Sequence, residues 1–279
     1  MEVRRRLAQN EKVEFRSKAV KLKSCSIDSF AWAGVQYPTV ACATCELCDL
    51  WCQPIRDNPE RYNSLEWFKN RRTKIRRGEY LFHAGEPFRS LYALRAGFLK
   101  VFFVSQGREH VTGFYMAGEL VGLDAIHAAR HTCSAVALED GQVCEVPFEQ
   151  LEKLCLDLPA SQHRLHRFMS REITRHYEMV AELVGKTVEE RMAAFLLNLS
   201  KRFSEHRYSP TQFQLRMKRD EIGNYLGMTV ETVSRTLRKF HAAGLISVRG
   251  KQLELLDLDG LHRTANRDEL PSASLPKLR

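Results

Sequence analysis

Residues 221–240 read EIGNYLGMTVETVSRTLRKF. Ile222, Tyr225 and Leu226 give a first helix its inner face, and Gly223 leaves room for a crossing helix. Gly227, Met228 and Thr229 supply a turn, because glycine takes a positive φ without strain and Thr229 can cap the second helix. In that second helix Val233, Leu237 and Phe240 recur at i, i+4 and i+7 and point to a core. Glu231, Ser234, Arg235 and Arg238 share the opposite side. The pattern is a helix-turn-helix, and its outer face carries side chains suited to base edges.

Arg235 can bond bidentately to guanine, Glu231 can accept from cytosine, Ser234 reaches either kind of edge, and Val230 can lie against a thymine methyl. A solvated helix face is the plain alternative. It leaves unexplained an acidic residue among basic ones, which weakens phosphate affinity unless it discriminates between bases. Downstream of Gly244, Leu245–Val248 and Gln252–Leu255 flank Arg249, Gly250 and Lys251. This predicts a β-wing whose tip can touch phosphate, so residues 187–262 read as a winged-helix DNA-binding domain. Residues 263–279 are polar with two prolines and are expected to be disordered.

Upstream, Ala160–Val184 contains no Gly or Pro, and a helix is predicted over 159–186. Leu165, Met169, Ile173, His176, Val180 and Leu183 form a seam near a 3.5-residue repeat, with Phe168 and Tyr177 alongside. A parallel homodimer is expected along it. His176 and the neighbouring Glu172 weaken the seam, so pairing would need another support. Gly185 ends this helix, and Thr187 with Glu190 forms a capping box for the next.

From Thr73 to Phe148 the texture is short β-type runs cut by glycine: Tyr80–Phe82, Ser90–Leu94, Phe98–Val104, His110–Met116 and Gln142–Val146. Such spacing indicates a sandwich or jelly roll. Cys144 lies in the last run, and Cys133 and Cys155 read as half-buried filler.

Residues 41–54 read ACATCELCDLWCQP and hold Cys42, Cys45, Cys48 and Cys52, four of the eight cysteines. Thiolates are soft ligands, and spacing alone admits zinc, an iron–sulfur cluster or a redox dithiol. Residues 1–40 form a basic arm without an apolar stripe, expected to be disordered. The 279 residues suffice for two domains, and a net charge of +9 suggests an anionic partner such as double-stranded DNA. No secretory signal or membrane-spanning run is read, so a cytoplasmic location with reduced thiols and no membrane partner is expected. The fold class is α+β: a jelly roll with its cysteine loop (41–158), a long helix and a winged helix.

That order resembles the CRP/FNR superfamily of bacterial transcription regulators, over residues 42–256. Within it the chain looks most like the oxygen-sensing fumarate and nitrate reductase regulators. The likeness is carried by Tyr92–Gly97, Thr112–Phe114, Gly118–Ile126, Val143–Phe148, Glu189–Arg191 and Ile222–Gly227. The resemblance implies an oxygen-labile 4Fe–4S cluster on Cys42, Cys45, Cys52 and Cys144, with Cys48 an alternative ligand. It also implies a homodimer on TTGAT-N4-ATCAA-type palindromes, read by Glu231, Ser234 and Arg235, contact with RNA polymerase, and no enzymatic activity. Three alternatives stand beside it: a zinc-stapled regulator, a small-ligand-responsive relative, and a dithiol redox enzyme. Cyclic-nucleotide binders carry an Arg-Ser pair after Gly-Glu-Leu. Here His131 to Ala135 occupy that stretch instead, and Arg130 sits too early.

Overall fold

The computed structural model describes residues 72–266, together with Leu50 and the backbone of Phe30–Trp32 (β1) and Val35–Tyr37 (β2). β1 and β2 pair antiparallel, which departs from the disordered arm expected there. Phe30, Trp32, Val35 and Tyr37 favour strands, and only two residues separate the runs. Cys42, Cys45, Cys48 and Cys52, and the chain beyond 266, lie outside the described residues. Among the described residues no helix is long and apolar enough to cross a membrane.

Eight strands build the jelly roll: Arg72–Ile75 (β3), Tyr80–Phe82 (β4), Ser90–Ala96 (β5), Phe98–Ser105 (β6), Arg108–Met116 (β7), Leu120–Val121 (β8), Ser134–Ala137 (β9) and Gly141–Pro147 (β10). They form two four-stranded sheets, ordered β3-β10-β5-β8 and β4-β9-β6-β7. Between the sheets lie Ile75, Leu94, Val121 and Val143 from one and Phe82, Leu99, Val101 and Ala135 from the other. Both outer faces are also covered, which is why β5 is buried along nearly its whole length and shows no clean alternation.

The outer face of the first sheet, through Leu91, Ala93, Leu120 and Val146, meets a helix at Phe148–Asp157 (α1) and the start of Pro159–Gly185 (α2). At ~1.5 Å per residue α2 is roughly 40 Å long. Pro159 suits its first turn, where no N–H is needed. The Thr187–Glu190 capping box forms as expected, Thr187 N–H donating to Glu190 Oε2 at 2.7 Å, and starts Val188–Glu205 (α3).

The C-terminal unit adds Gln212–Gln214 (β11), Arg219–Leu226 (α4), Val230–Ala242 (α5), Ile246–Arg249 (β12), Gln252–Leu255 (β13) and Leu258–Ala265 (α6). Its sheet runs β11-β13-β12, and Arg249 pairs with Gln252 across the two-residue wing tip. α6 extends the domain past the boundary expected at 262. Asp257 accepts from Gly260 N–H at 2.8 Å to cap the helix, and Leu261 and Ala265 are buried with α3 in one core. Phe98, Phe102, Val111, Phe114 and Met116, on the outer face of the second sheet, belong to that same core.

Candidate functional site

α5 presents the side chains read as base contacts. Thr229 caps it, accepting from Thr232 N–H at 3.2 Å. Val233, Leu237 and Phe240 are buried as expected, and so is Thr236, whose hydroxyl returns to Thr232 O at 2.9 Å. Val230, Glu231, Arg235 and Arg238 are exposed and Ser234 is half-buried. Arg235 Nη2 leans on Thr232 Oγ1 at 3.4 Å and Arg238 Nε on Ser234 O at 3.3 Å, so both guanidiniums lie along the outer surface. Glu231 stands in the first turn, where its own backbone N–H and the Thr229 hydroxyl hold its carboxyl below the ordinary value. It is an anion and an acceptor only, as reading a cytosine amine requires. Lys239 ties the helix to α3 through Glu189 at 2.7 Å.

Gly227 sits at φ 63 and Met228 N–H closes the turn onto Gly223 O at 2.8 Å. A Cβ on Gly223 would lie 2.6 Å from Met228 O, so this glycine makes room for the turn rather than for a crossing helix. The wing tip places Arg249 and Lys251 in solvent, with Gly250 at φ 63.

In the jelly roll Cys144 is half-buried in β10, opposite Ala93 of β5, and packs against the apolar cluster under α1 and α2. Leu50 is buried in that same cluster with only 4% of its surface exposed, and Leu165 and Phe168 of α2 belong to it too. In sequence Leu50 stands two residues from both Cys48 and Cys52. Among the described residues no group of three metal-ligating side chains converges, and Cys144 is the one described member of the ligand set implied by resemblance. Its surroundings fit an iron–sulfur cluster: a partly sheltered thiol on an apolar floor, on the face where Leu50 is also buried.

The stretch where a cyclic-nucleotide binder holds phosphate is differently built. Asp124 accepts from Thr132 N–H at 2.8 Å and Cys133 N–H at 3.1 Å, and His131 Nδ1 lies 3.4 Å from its other oxygen. Burial would raise the Asp124 carboxyl, but His131 and those N–H groups outweigh it and hold it low. The His131 ring stacks on Phe82 at 3.7 Å between centroids.

Along α2 the seam residues divide. Leu165 is packed inside its own chain, and Met169 and Leu183 are half-buried. Ile173 (52% exposed), His176 and Val180 face solvent, and Tyr177 and Val184 (84% exposed) continue the same stripe. Val184 is easily missed in the sequence because it stands at the helix end, though its i+4 spacing from Val180 marks it. His176 Nδ1 is 2.8 Å from Glu172 O.

A jelly roll carrying a long helix and then a winged helix-turn-helix with a basic outer face defines a DNA-binding transcription regulator on a cyclic-nucleotide-binding scaffold. Residues 72–157 match the cyclic nucleotide-binding domain family and residues 190–264 the Crp-like helix-turn-helix domain family. The chain is 45% identical over 221 residues to the transcriptional activator protein Anr of Pseudomonas aeruginosa, covering 79% of this chain and 90% of that one. It is 42% identical over 227 residues to the fumarate and nitrate reduction regulatory protein of Escherichia coli, covering 81% and 90%. The solved structure of FixK2 from Bradyrhizobium japonicum superposes with a TM-score of 0.64 at 28% identity, over 69% of this chain and 96% of that one. The chain belongs to the CRP/FNR family of transcription regulators and resembles its FNR and Anr members. These relatives are regulators, not enzymes, which sets aside the dithiol catalyst.

Proposed function

We propose that this protein is an oxygen-responsive regulator whose DNA affinity depends on a 4Fe–4S cluster held by Cys42, Cys45, Cys52 and Cys144, with Cys48 an alternative ligand. The observation that carries this reading is the convergence of Cys144, Leu50 and the start of α2 on one apolar cluster. Bound there, the cluster would supply a thiolate-held clasp that a small oxidant can open. The chain's own residues do the rest. Leu50 shares one apolar cluster with Leu165 and Phe168, so a change in the cysteine run would be felt where α2 begins. From Ile173 onward α2 offers an apolar stripe that pairs with a second copy, and His176 keeps that pairing weak. A weak seam responds to a small bias from the sensor.

The homodimer would carry two α5 helices to the half-sites of a TTGAT-N4-ATCAA palindrome, one helical turn apart. Arg235 would read guanine, Glu231 cytosine, and Ser234 and Val230 their neighbours, with Arg238 and the wing tip on phosphate. Family analogy adds RNA polymerase as a further partner.

The test is anaerobic titration of a labelled TTGAT-N4-ATCAA duplex, repeated after air exposure and with Cys144→Ala, alongside iron and acid-labile sulfide analysis. Tight binding is expected only for the unexposed wild type, which should contain iron and sulfide. Equal affinity in all three arms, or a colourless zinc-containing protein, overturns the reading.

A further inference from the structure

Among the described residues the sheet β4-β9-β6-β7 ends at β7, so one side of β7 carries backbone groups with no neighbouring strand there. At one point that edge is filled by a side chain of the reading domain. Asn224, in the last turn of α4, accepts from Val111 N–H through Oδ1 at 2.7 Å. Its Nδ2 donates to Glu109 O, also at 2.7 Å. A carboxamide has the donor and acceptor of a peptide group, and here it replaces one rung of a missing strand.

A second tie sits at the other end of the same helix. Lys100 of β6, with 8% of its surface exposed, places Nζ 2.8 Å from Glu109 and 3.3 Å from Glu221 in the first turn of α4. Glu221 is itself held by Lys218 N–H at 2.8 Å. α4 is thus fastened to the β6–β7 hairpin at its start and at its end, and two fastenings fix rotation as well as distance. α4 passes through the Gly227 turn directly into α5, so whatever orients α4 orients the reading helix. The large core beneath is apolar, and apolar contact holds surfaces together without dictating direction.

We propose that Asn224, supported by Lys100 and Glu221, is a positioning residue for DNA recognition that fixes the separation of the two reading helices and so selects half-site spacing. This rests on the reading of the protein as a dimer on a palindrome. Residues that touch bases set which half-site is bound, whereas Asn224 sets how far apart two of them must lie.

The experiment uses the full chain, prepared under nitrogen. Affinities are measured for duplexes with TTGAT and ATCAA separated by three to six base pairs, and for a single half-site. Wild type is expected to prefer one spacing. Asn224→Ala should keep the single half-site affinity and reduce the preference among spacings by on the order of tenfold, the scale of two lost hydrogen bonds. Asn224→Asp retains an acceptor for Val111 N–H but sets a carboxylate against Glu109 O, and should lose at least as much. A merely structural role would lower affinity for every duplex alike, and that result overturns the proposal. Should Asn224→Ala fail to fold, Lys100→Met breaks the neighbouring tie from the jelly-roll side and is expected to relax spacing in the same direction. A wild type that discriminates, with variants that discriminate equally, overturns the role of Asn224 alone. A wild type indifferent to spacing overturns both this proposal and the palindromic reading.

Discussion

Arg202 grips Glu119 with two bonds, Nε to Oε1 at 2.8 Å and Nη2 to Oε2 at 2.6 Å. Glu119 lies between β7 and β8 of the jelly roll, and Arg202 lies in α3, the first helix of the reading domain. Arg175 of the long helix places Nη1 3.8 Å from Glu119 Oε1 and donates through Nη2 to Phe114 O at 3.2 Å. Jelly roll, long helix and reading domain therefore meet on one buried carboxylate.

That carboxylate should give the protein a specific acid profile. Burial by itself would raise the Glu119 carboxyl, but Arg202, Arg175 and the Met116 N–H outweigh it and bring it from 4.5 down to about 2. A group depressed on folding contributes stability above its unfolded value and loses it as pH falls through the folded one. Stability from this joint is expected to hold above about pH 5 and to fall between about 4.5 and 2, by ~3 kcal/mol for this group. Glu119→Gln takes the charge partner from the buried Arg202 guanidinium, while Arg175 keeps Glu172 at 3.6 Å, and should cost ~3–5 kcal/mol while flattening that part of the profile. Urea unfolding of both proteins across pH checks this, and an unchanged slope in the variant would assign the effect to another carboxyl.

The division of α2 into a buried start and an exposed remainder predicts two unlike phenotypes from one helix. Ile173→Glu or Val180→Glu puts a charge on the solvent-facing stripe and should leave stability within ~0.5 kcal/mol while abolishing dimers. Leu165→Ala hollows the cluster under the jelly roll and should cost ~2–5 kcal/mol. Sedimentation equilibrium and chemical unfolding on each variant separate the two, and a Leu165→Ala protein of unchanged stability would contradict the packing described.

The turn before α5 is sterically fixed, and two glycines should fail for different reasons. Gly227→Ala forces a Cβ into the left-handed region at φ 63, at ~1–2 kcal/mol, without blocking the turn. Gly223→Ala drives its Cβ against Met228 O, a backbone atom, so the turn itself must open. Thermal unfolding should show a mild shift for the first. DNA titration should show a far larger loss for the second than its stability explains.

Legibility in the sequence depended on whether the cause was local. Val233, Leu237 and Phe240 repeat within one helix, and Thr187 and Glu190 cap within one turn, so both are plain from the residues. β3 is not, because Arg72–Ile75 is an edge strand whose charged side chains mask its pattern. α6 is hidden by its own composition, since Asp257, Asp259, Gly260 and His262 read as loop until Leu261 and Ala265 find α3. The pairing of Glu119 with Arg202, and of Asn224 with β7, joins residues far apart in the chain. No periodicity announces such contacts. The cysteine ligands rest on resemblance, and of those only Cys144 falls within the described residues.

Base contacts and phosphate contacts should respond differently to salt, which gives a last check on the reading face. Arg235 stands on the exposed side of α5 with its guanidinium along the helix surface, and it is the residue proposed to read guanine. Arg235→Ala should cost ~1–3 kcal/mol on TTGAT-type sites and much less on duplexes with that guanine replaced, because only the correct base loses a partner. Lys251 stands exposed at the wing tip between β12 and β13. Lys251→Ala should weaken all duplexes about equally and reduce the salt dependence of log K by ~1, as one fewer phosphate is neutralised. Titrations of both variants at several salt concentrations, on matched and substituted duplexes, decide the assignment. If Arg235→Ala weakens every sequence alike with a shallower salt slope, Arg235 binds phosphate, and base reading must fall to Glu231 and Ser234.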